Sequence, residues 1–230
     1  GLENVTDYHR DLDITQAIST TSYAQDGTTF KREIFSSYPD DVTVTHLSKK
    51  GDKTLDFTLW NSLTEDLLAN GDYSWEYSNY KQGAVTTDSN GILLKGTVKD
   101  NGLQFASYLG IKTDGQVTAQ GGYLNVTGAS YSTLLLSAKT NYAQNPKTNY
   151  RKDIDLENTV KSIVEAAKAK DYEILKNNHI KDYQSIFNRV QLNLGSSKST
   201  QTTKEALQTY NPEKGQELEE LFFQYGRYLL

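Results

Sequence analysis

The hydrophobic period of this chain changes once, and the change divides what it can fold into. From about residue 14 to residue 142, apolar and polar residues alternate in short runs: 19–23, 29–36, 42–47, 55–60, 73–77, 91–98, 103–111, 116–119, 123–126 and 131–138. Alternation puts every second side chain on one face, as half-buried strands require. Glycine-bearing turns separate many of the runs, at Asp26-Gly27, Gly51-Asp52, Asn90-Gly91, Asn101-Gly102, Asp114-Gly115 and Gly121-Gly122. Asn101-Gly102 between two alternating segments is the strongest local hairpin signal. Many short strands with little helix between them predict an antiparallel sandwich.

From about residue 156 the spacing becomes helical. Leu156, Val160, Ile163, Val164 and Ala167 form one stripe, with Asp153, Asp155 and Glu157 near its start, where a helix dipole favours acids. Tyr172, Leu175, His179, Tyr183, Ile186, Phe187 and Val190 form a second. Gly195-Ser196-Ser197-Lys198-Ser199 reads as a flexible break, followed by a short helix over 202–209 and a terminal one entered through Pro212. Leu218, Leu221, Phe222, Tyr225 and Leu229 give that last helix an apolar face, and no glycine, asparagine or proline closes it. Such a face needs a surface to pack on, so the expectation is a chain that ends just inside a further domain. The expected fold class is mainly β plus α: an antiparallel β-sandwich followed by a helical segment, which the resemblance given below makes a β-supersandwich and a helical linker.

Composition narrows the function. At 230 residues the chain can bury roughly 70% of its unfolded surface and needs no disulfide or metal staple. The net charge of −5, from 24 basic and 29 acidic residues, argues against nucleic acid as a partner. Lys49, Lys50 and Lys53 surround a Gly-Asp turn and read as a solvated hairpin end. No apolar run reaches the ~18 residues of a membrane span, and no signal-peptide pattern is read in the chain; because it begins with Gly rather than Met, the expectation is that a leader or an upstream domain has been removed. Cysteine is absent, which excludes thiol catalysis and thiolate metal sites; this suits bacterial surface and secreted proteins somewhat better than cytoplasmic ones.

No constellation of residues selects an active site. His9, His46 and His179 are too dispersed for a local metal motif, so neither metal nor cofactor is expected, and His179 on its apolar stripe reads as a buried, hydrogen-bonded structural histidine. Asp11, Asp13, Glu33, Asp40, Asp41, Glu65, Asp66, Asp72 and Glu76 include no pair whose spacing marks the two carboxylates of a glycosidase. Asp11 and Asp13 flank Leu12 and share a face, but read as solvated acids. Arg32-Glu33 is expected to form a charge pair, and Pro39-Asp40-Asp41 a turn. Tyr73, Trp75 and Tyr77 alternate on one strand face and read first as core. If exposed, they would stack on sugar rings, which makes Trp75, Tyr77 and Tyr80 the candidate carbohydrate-binding residues.

Five segments, in order, resemble one enzyme family. They are Tyr8-His9-Arg10-Asp11-Leu12-Asp13-Ile14 with Ala17; Gly27 with Arg32-Glu33-Ile34-Phe35-Ser36-Ser37-Tyr38-Pro39-Asp40 and Val42; and residues 132–142. They continue with His179-Ile180-Lys181-Asp182-Tyr183, Phe187-Asn188-Arg189-Val190 and Leu194-Gly195, and end with residues 223–230. Together they resemble the amino-terminal part of glycoside hydrolase family 95, the inverting α-L-fucosidases and their close relatives. The resemblance implies a sandwich over 1–150, lacking its opening strands, a helical linker over 151–215, and at 216–230 the first helix of an (α/α)₆ barrel. It implies a fucosylated glycan as substrate of the parent protein, with the catalytic acid and the asparagine-assisted water beyond residue 230. No catalytic residue carries over, and the segment alone is expected to be inactive. Gly226 within the last helix suggests close approach by a neighbouring element. The alternative is a stand-alone carbohydrate-binding or structural sandwich module.

Overall fold

The computed structural model describes residues 4–61, 81–120, 122–195, 201–213 and 215–230. Its strands are β1 (Val5–Asp13), β2 (Ile18–Gln25), β3 (Thr28–Ser37), β4 (Val42–Lys50), β5 (Leu55–Leu59) and β6 (Lys81–Asp88). They continue with β7 (Gly91–Val98), β8 (Gln104–Thr113), β9 (Gln116–Gln120), β10 (Tyr123–Ala129) and β11 (Tyr131–Thr140). The helices are α1 (Leu156–Lys168), α2 (Tyr172–Phe187), α3 (Thr203–Gln208) and α4 (Gln216–Tyr228). The strands form an antiparallel large sheet, ordered β1-β2-β3-β4-β11-β8-β7-β6, and a small one, ordered β5-β10-β9. The class is mainly β with helices at the end, as expected from the period change.

Turn chemistry accounts for the first hairpin. Asp26 and Gly27 sit at φ 47° and 77° between paired Gln25 and Thr28, the mirror-image turn that matches strand twist. The Asn101-Gly102 hairpin joins β7 to β8, closed by hydrogen bonds between Val98 and Leu103 and from Gly102 back to Val98. Two expectations are corrected. Lys49 to Lys53 does not close a hairpin: β4 lies in the large sheet and β5 in the small one, so the chain there changes sheets. Strand β6 was not anticipated, because Gln82, Gly83, Thr86 and Thr87 give it little apolar alternation; as an edge strand it buries one side only.

The large sheet is covered on both faces. On one side Phe30, Ile111 and Leu134 meet Leu55, Val126 and Ala129 of the small sheet. On the other, Phe35, Val44, Leu93, Tyr108 and Leu135 meet Leu156, Val160, Val164 and Leu175 of α1 and α2. Leu134 and Leu135 thus face opposite cores one residue apart. The helices are therefore a third layer packed on the sandwich. Asp155 caps α1 through Asn158 N at 3.0 Å. Gly110 lets α1 come down onto the sheet, since a Cβ there would lie 2.5 Å from Val164 Cγ1.

The later helices start where capping allows. Thr202 and Glu205 form a reciprocal capping box at α3. Helix α4 begins after Gly215, not at Pro212: Asn211 Oδ1 accepts from Glu213 N at 2.8 Å, which turns the chain before the helix. No helix among the described residues is long and apolar enough to cross a membrane.

Candidate functional site: the seam between sheet and helices

The densest group of buried polar side chains lies where α2 crosses the large sheet. Glu33, His46 and Thr133 sit directly opposite one another on β3, β4 and β11. His46 Nδ1 is 2.9 Å from Thr133 Oγ1, and the ring of Tyr172 stacks on the imidazole at 3.8 Å and 12°. One helical turn later, Lys176 Nζ donates to Glu33 Oε1 at 2.8 Å, with Lys31 Nζ at 3.1 Å from the same oxygen. Glu33 is only 7% exposed. Its expected partner Arg32 points to the opposite, solvent-facing side, because adjacent strand residues alternate.

A second anchor lies at the β3–β4 turn. Asp40, 8% exposed, accepts from Ser37 Oγ at 2.6 Å and Lys170 Nζ at 2.5 Å, with Asn178 Nδ2 at 3.4 Å. Asp41 adopts φ 57° and closes the turn through its N–H to Tyr38 O, as the Pro39-Asp40-Asp41 pattern anticipates. Lys112 Nζ donates to Lys170 O at 2.8 Å, so the α1–α2 junction is held both from β8 and from the β3–β4 turn.

The electrostatics identify a clamp. Burial pushes the Glu33 carboxyl up, but hydrogen bonds from Lys176 and Lys31 outweigh it and hold it below the ordinary carboxylate range. Asp40 follows the same balance, with burial opposed by Lys170 and Ser37. Burial lowers the His46 pKa, so the imidazole is neutral at pH 7. Burial, then the Glu33 charge, pushes the Tyr172 phenol up. Two ionised, ammonium-bound acids beneath a helix have no proton to give and no open path to a substrate. What this seam can do is fix the helix on the sheet.

Helix α2 carries a further clasp that contains the anticipated structural histidine. His179 Nε2 lies 2.8 Å from Gln16 O, Tyr183 Oη donates to Ile14 O at 2.7 Å, and Gln184 Nε2 donates to Thr15 O at 3.0 Å. The imidazole stacks on Phe35 at 4.8 Å and is buried. All three grip the β1–β2 turn, where Ala17 holds φ 53°. At the far end Arg227 of α4 lies 4.4 Å over the Phe187 ring and donates to Phe187 O and, at 2.7 Å, to Val190 O. Sequence reading missed Arg227, whose role needs a partner some forty residues away; the signal was the carbonyl-rich end of α2 without a glycine cap.

The other sequence candidates are dispersed. Trp75, Tyr77 and Tyr80, with Tyr73, Glu65, Asp66, Asp72 and Glu76, lie outside the described residues. Asp11 pairs with His9 at 3.2 Å on exposed β1, and Asp13 Oδ1 accepts from Thr15 N and Gln16 N in the turn. Asp41 is bound by Lys139 at 2.5 Å. Among the described residues no three acids or histidines converge as metal ligands. Gly226 meets nothing within 4 Å of where a Cβ would stand, so the close approach expected there is not made among the described residues. On α4, Phe222 is 79% and Leu229 64% exposed. An open pocket of about 610 Å³ lies elsewhere, beside the β7–β8 hairpin and the loop after β11.

The unit is three layers, two sheets and a helical layer, with the buried acids Glu33 and Asp40 engaged at the seam between them. Residues 1–145 match the glycosyl hydrolase family 65 N-terminal domain, and residues 171–230 match the glycosyl hydrolase family 95 catalytic domain. The chain belongs to the first of these domain families, whose model covers most of its length, and the two matches in this order make it family-95-like. "Alpha-L-fucosidase 2" of Arabidopsis thaliana is 28% identical over 253 residues, covering 97% of this chain and 28% of the relative. "Probable alpha-fucosidase A" of Aspergillus niger is 28% identical over 240 residues, covering 99% and 28%. Its namesake in Aspergillus oryzae is 26% identical over 243 residues, covering 100% and 32%. The chain thus spans less than a third of the length of these relatives.

Proposed function

We propose that this chain is the N-terminal, non-catalytic portion of a glycosidase of the inverting α-L-fucosidase type, whose parent releases terminal fucose from glycans. The observation that carries the reading is the alignment of essentially the whole chain with α-fucosidases, its two family matches running in sequence order. The division is a sandwich over 1–150, a linker over 151–215 and, at 216–230, the first helix of an (α/α)₆ barrel. The seam and the clasp supply the mechanism: the sandwich holds α2, α2 holds α4 through Arg227, and α4 presents Phe222, Tyr225 and Leu229 outward. That apolar face packs on the parent's own barrel, and Gly226 on the same exposed stretch admits a close neighbour.

The test is fucose release from an α-1,2-fucosylated oligosaccharide by residues 1–230 beside the full-length parent. An inactive segment and an active parent are expected. Turnover by the segment would overturn the assignment and direct mutagenesis to Asp11, Asp13 and Asp40. Failure of the parent on fucosides, with turnover of another glycoside, would keep the bearing role and replace the sugar.

A further inference from the structure

The pocket after β11 is built from two elements that its own stability does not explain. Tyr142, just past β11, and Tyr150, in the following loop, stack with ring planes 2° apart and centroids at 6.3 Å, yet remain 51% and 43% exposed. Asn149 and Tyr150 both occupy the left-handed region, at φ 51° and 58°. Asparagine tolerates that region; a tyrosine there is strained, and glycine would adopt it without penalty. Half-exposed aromatic area gives little burial in return.

The loop that imposes this conformation is closed on itself. Asn145 Oδ1 accepts from Lys147 N at 3.0 Å, Asn145 O accepts from Tyr150 N at 3.0 Å, and Pro146 O accepts from Asn149 N at 3.0 Å. Ala143 N donates to Tyr150 O at 3.0 Å. Arg151 then crosses to the opposite wall, its Nη2 donating to Asn101 O at 2.7 Å while Nη1 holds Tyr150 O at 3.1 Å. The pocket is thereby fixed in shape before anything enters it.

Its lining combines two kinds of surface. The tyrosines offer flat apolar rings, and among the described residues neither phenolic hydroxyl has a hydrogen-bond partner. Asp100 offers a carboxylate, and Asn101 and Asn149 offer amides, around the Arg151 guanidinium. A volume of about 610 Å³ suits one or two sugar rings. A pyranose has C–H groups on one face and hydroxyls around its rim, and it matches aromatic rings bordered by carboxylate, amide and guanidinium.

We propose that this pocket is a saccharide-binding site distinct from the seam, taking a pyranose ring against Tyr142 and Tyr150. The site binds whether or not the parent protein is a fucosidase. The probes are 2′-fucosyllactose, lactose and cellobiose, each titrated into isotope-labelled chain while backbone amide signals are followed. Shifts confined to Asn101, Gly102, Tyr142, Asn149 and Arg151 are expected with at least one sugar. Y150G separates a binding role from a structural one, because it relieves the backbone while removing a ring. It should leave thermal stability unchanged or higher and weaken saccharide binding at least tenfold, and Y142A should weaken binding similarly. No localised shift with any of the three sugars would overturn the proposal. So would binding unchanged in Y150G, or a Y150G chain that melts lower, which would give Tyr150 a folding role instead.

Discussion

Glu33 and Asp40 illustrate how a buried acid becomes a fastener. Each would be costly to bury alone: Glu33 is offset by Lys176 and Lys31, and Asp40 by Lys170, Ser37 and Asn178. His46, directly opposite Glu33, stays neutral because burial disfavours its charged form; the Glu33 carboxylate opposes this and the Lys176 and Lys31 charges add to it. All three groups have folded-state pKa values below their ordinary ones, so the unfolded chain binds more protons than the folded one as the medium is acidified. Stability is complete above the ordinary histidine value of 6.5 and falls below it. It falls further below the ordinary carboxylate values of 4.5 and 3.8. Urea midpoints measured from pH 7.5 to 3.5 should show both stages, and His46→Gln should flatten the first and leave the second. A flat profile through pH 6.5 in the parent chain would remove His46 from this account.

Among the elements, α1 depends most on a single absent atom. Gly110→Ala places a methyl 2.5 Å from Val164 Cγ1, in a core with no slack. The cost is expected at about 1–3 kcal/mol. Val164→Ala should then be less damaging in the G110A background than in the native chain; equal costs, read from urea midpoints, would place the strain elsewhere. Strands β2 to β5, β7 to β11 and helix α1 were legible in sequence because period, turn glycines and capping aspartate agree. The layering was not: Leu134 and Leu135 both read as core, but which side each faced depended on helices far along the chain. His179 was legible as structural from its place on an apolar stripe. Glu33 was assigned to its sequence neighbour Arg32, whereas its partner Lys176 stands 143 residues away, a separation that spacing along the chain does not encode. The pocket tyrosines carried no periodic signal at all, since each sits outside a strand or helix.

At the scale of the whole molecule, apolar surface is well covered on the sheets and poorly covered on α4. Phe222 on that helix and Leu229 just past its end are left largely exposed by the described residues. An environment-sensitive hydrophobic dye should therefore bind the isolated chain, and Phe222→Ser with Leu229→Ser should abolish most of its fluorescence without moving the thermal midpoint. Dye binding that survives both substitutions would locate the exposed patch elsewhere. Helix α2, about 24 Å long at 1.5 Å per residue, ties these regions together. Its His179, Tyr183 and Gln184 are hooked to the β1–β2 turn, and its final carbonyl is tied to Arg227. Its first half is held at the seam through Tyr172 and Lys176 and its second half by the turn and Arg227, so a displacement at Gln16 would pass to α4 through the short stretch from Gln184 to Phe187. A loop substitution near residue 16 would then retune the direction of α4 itself.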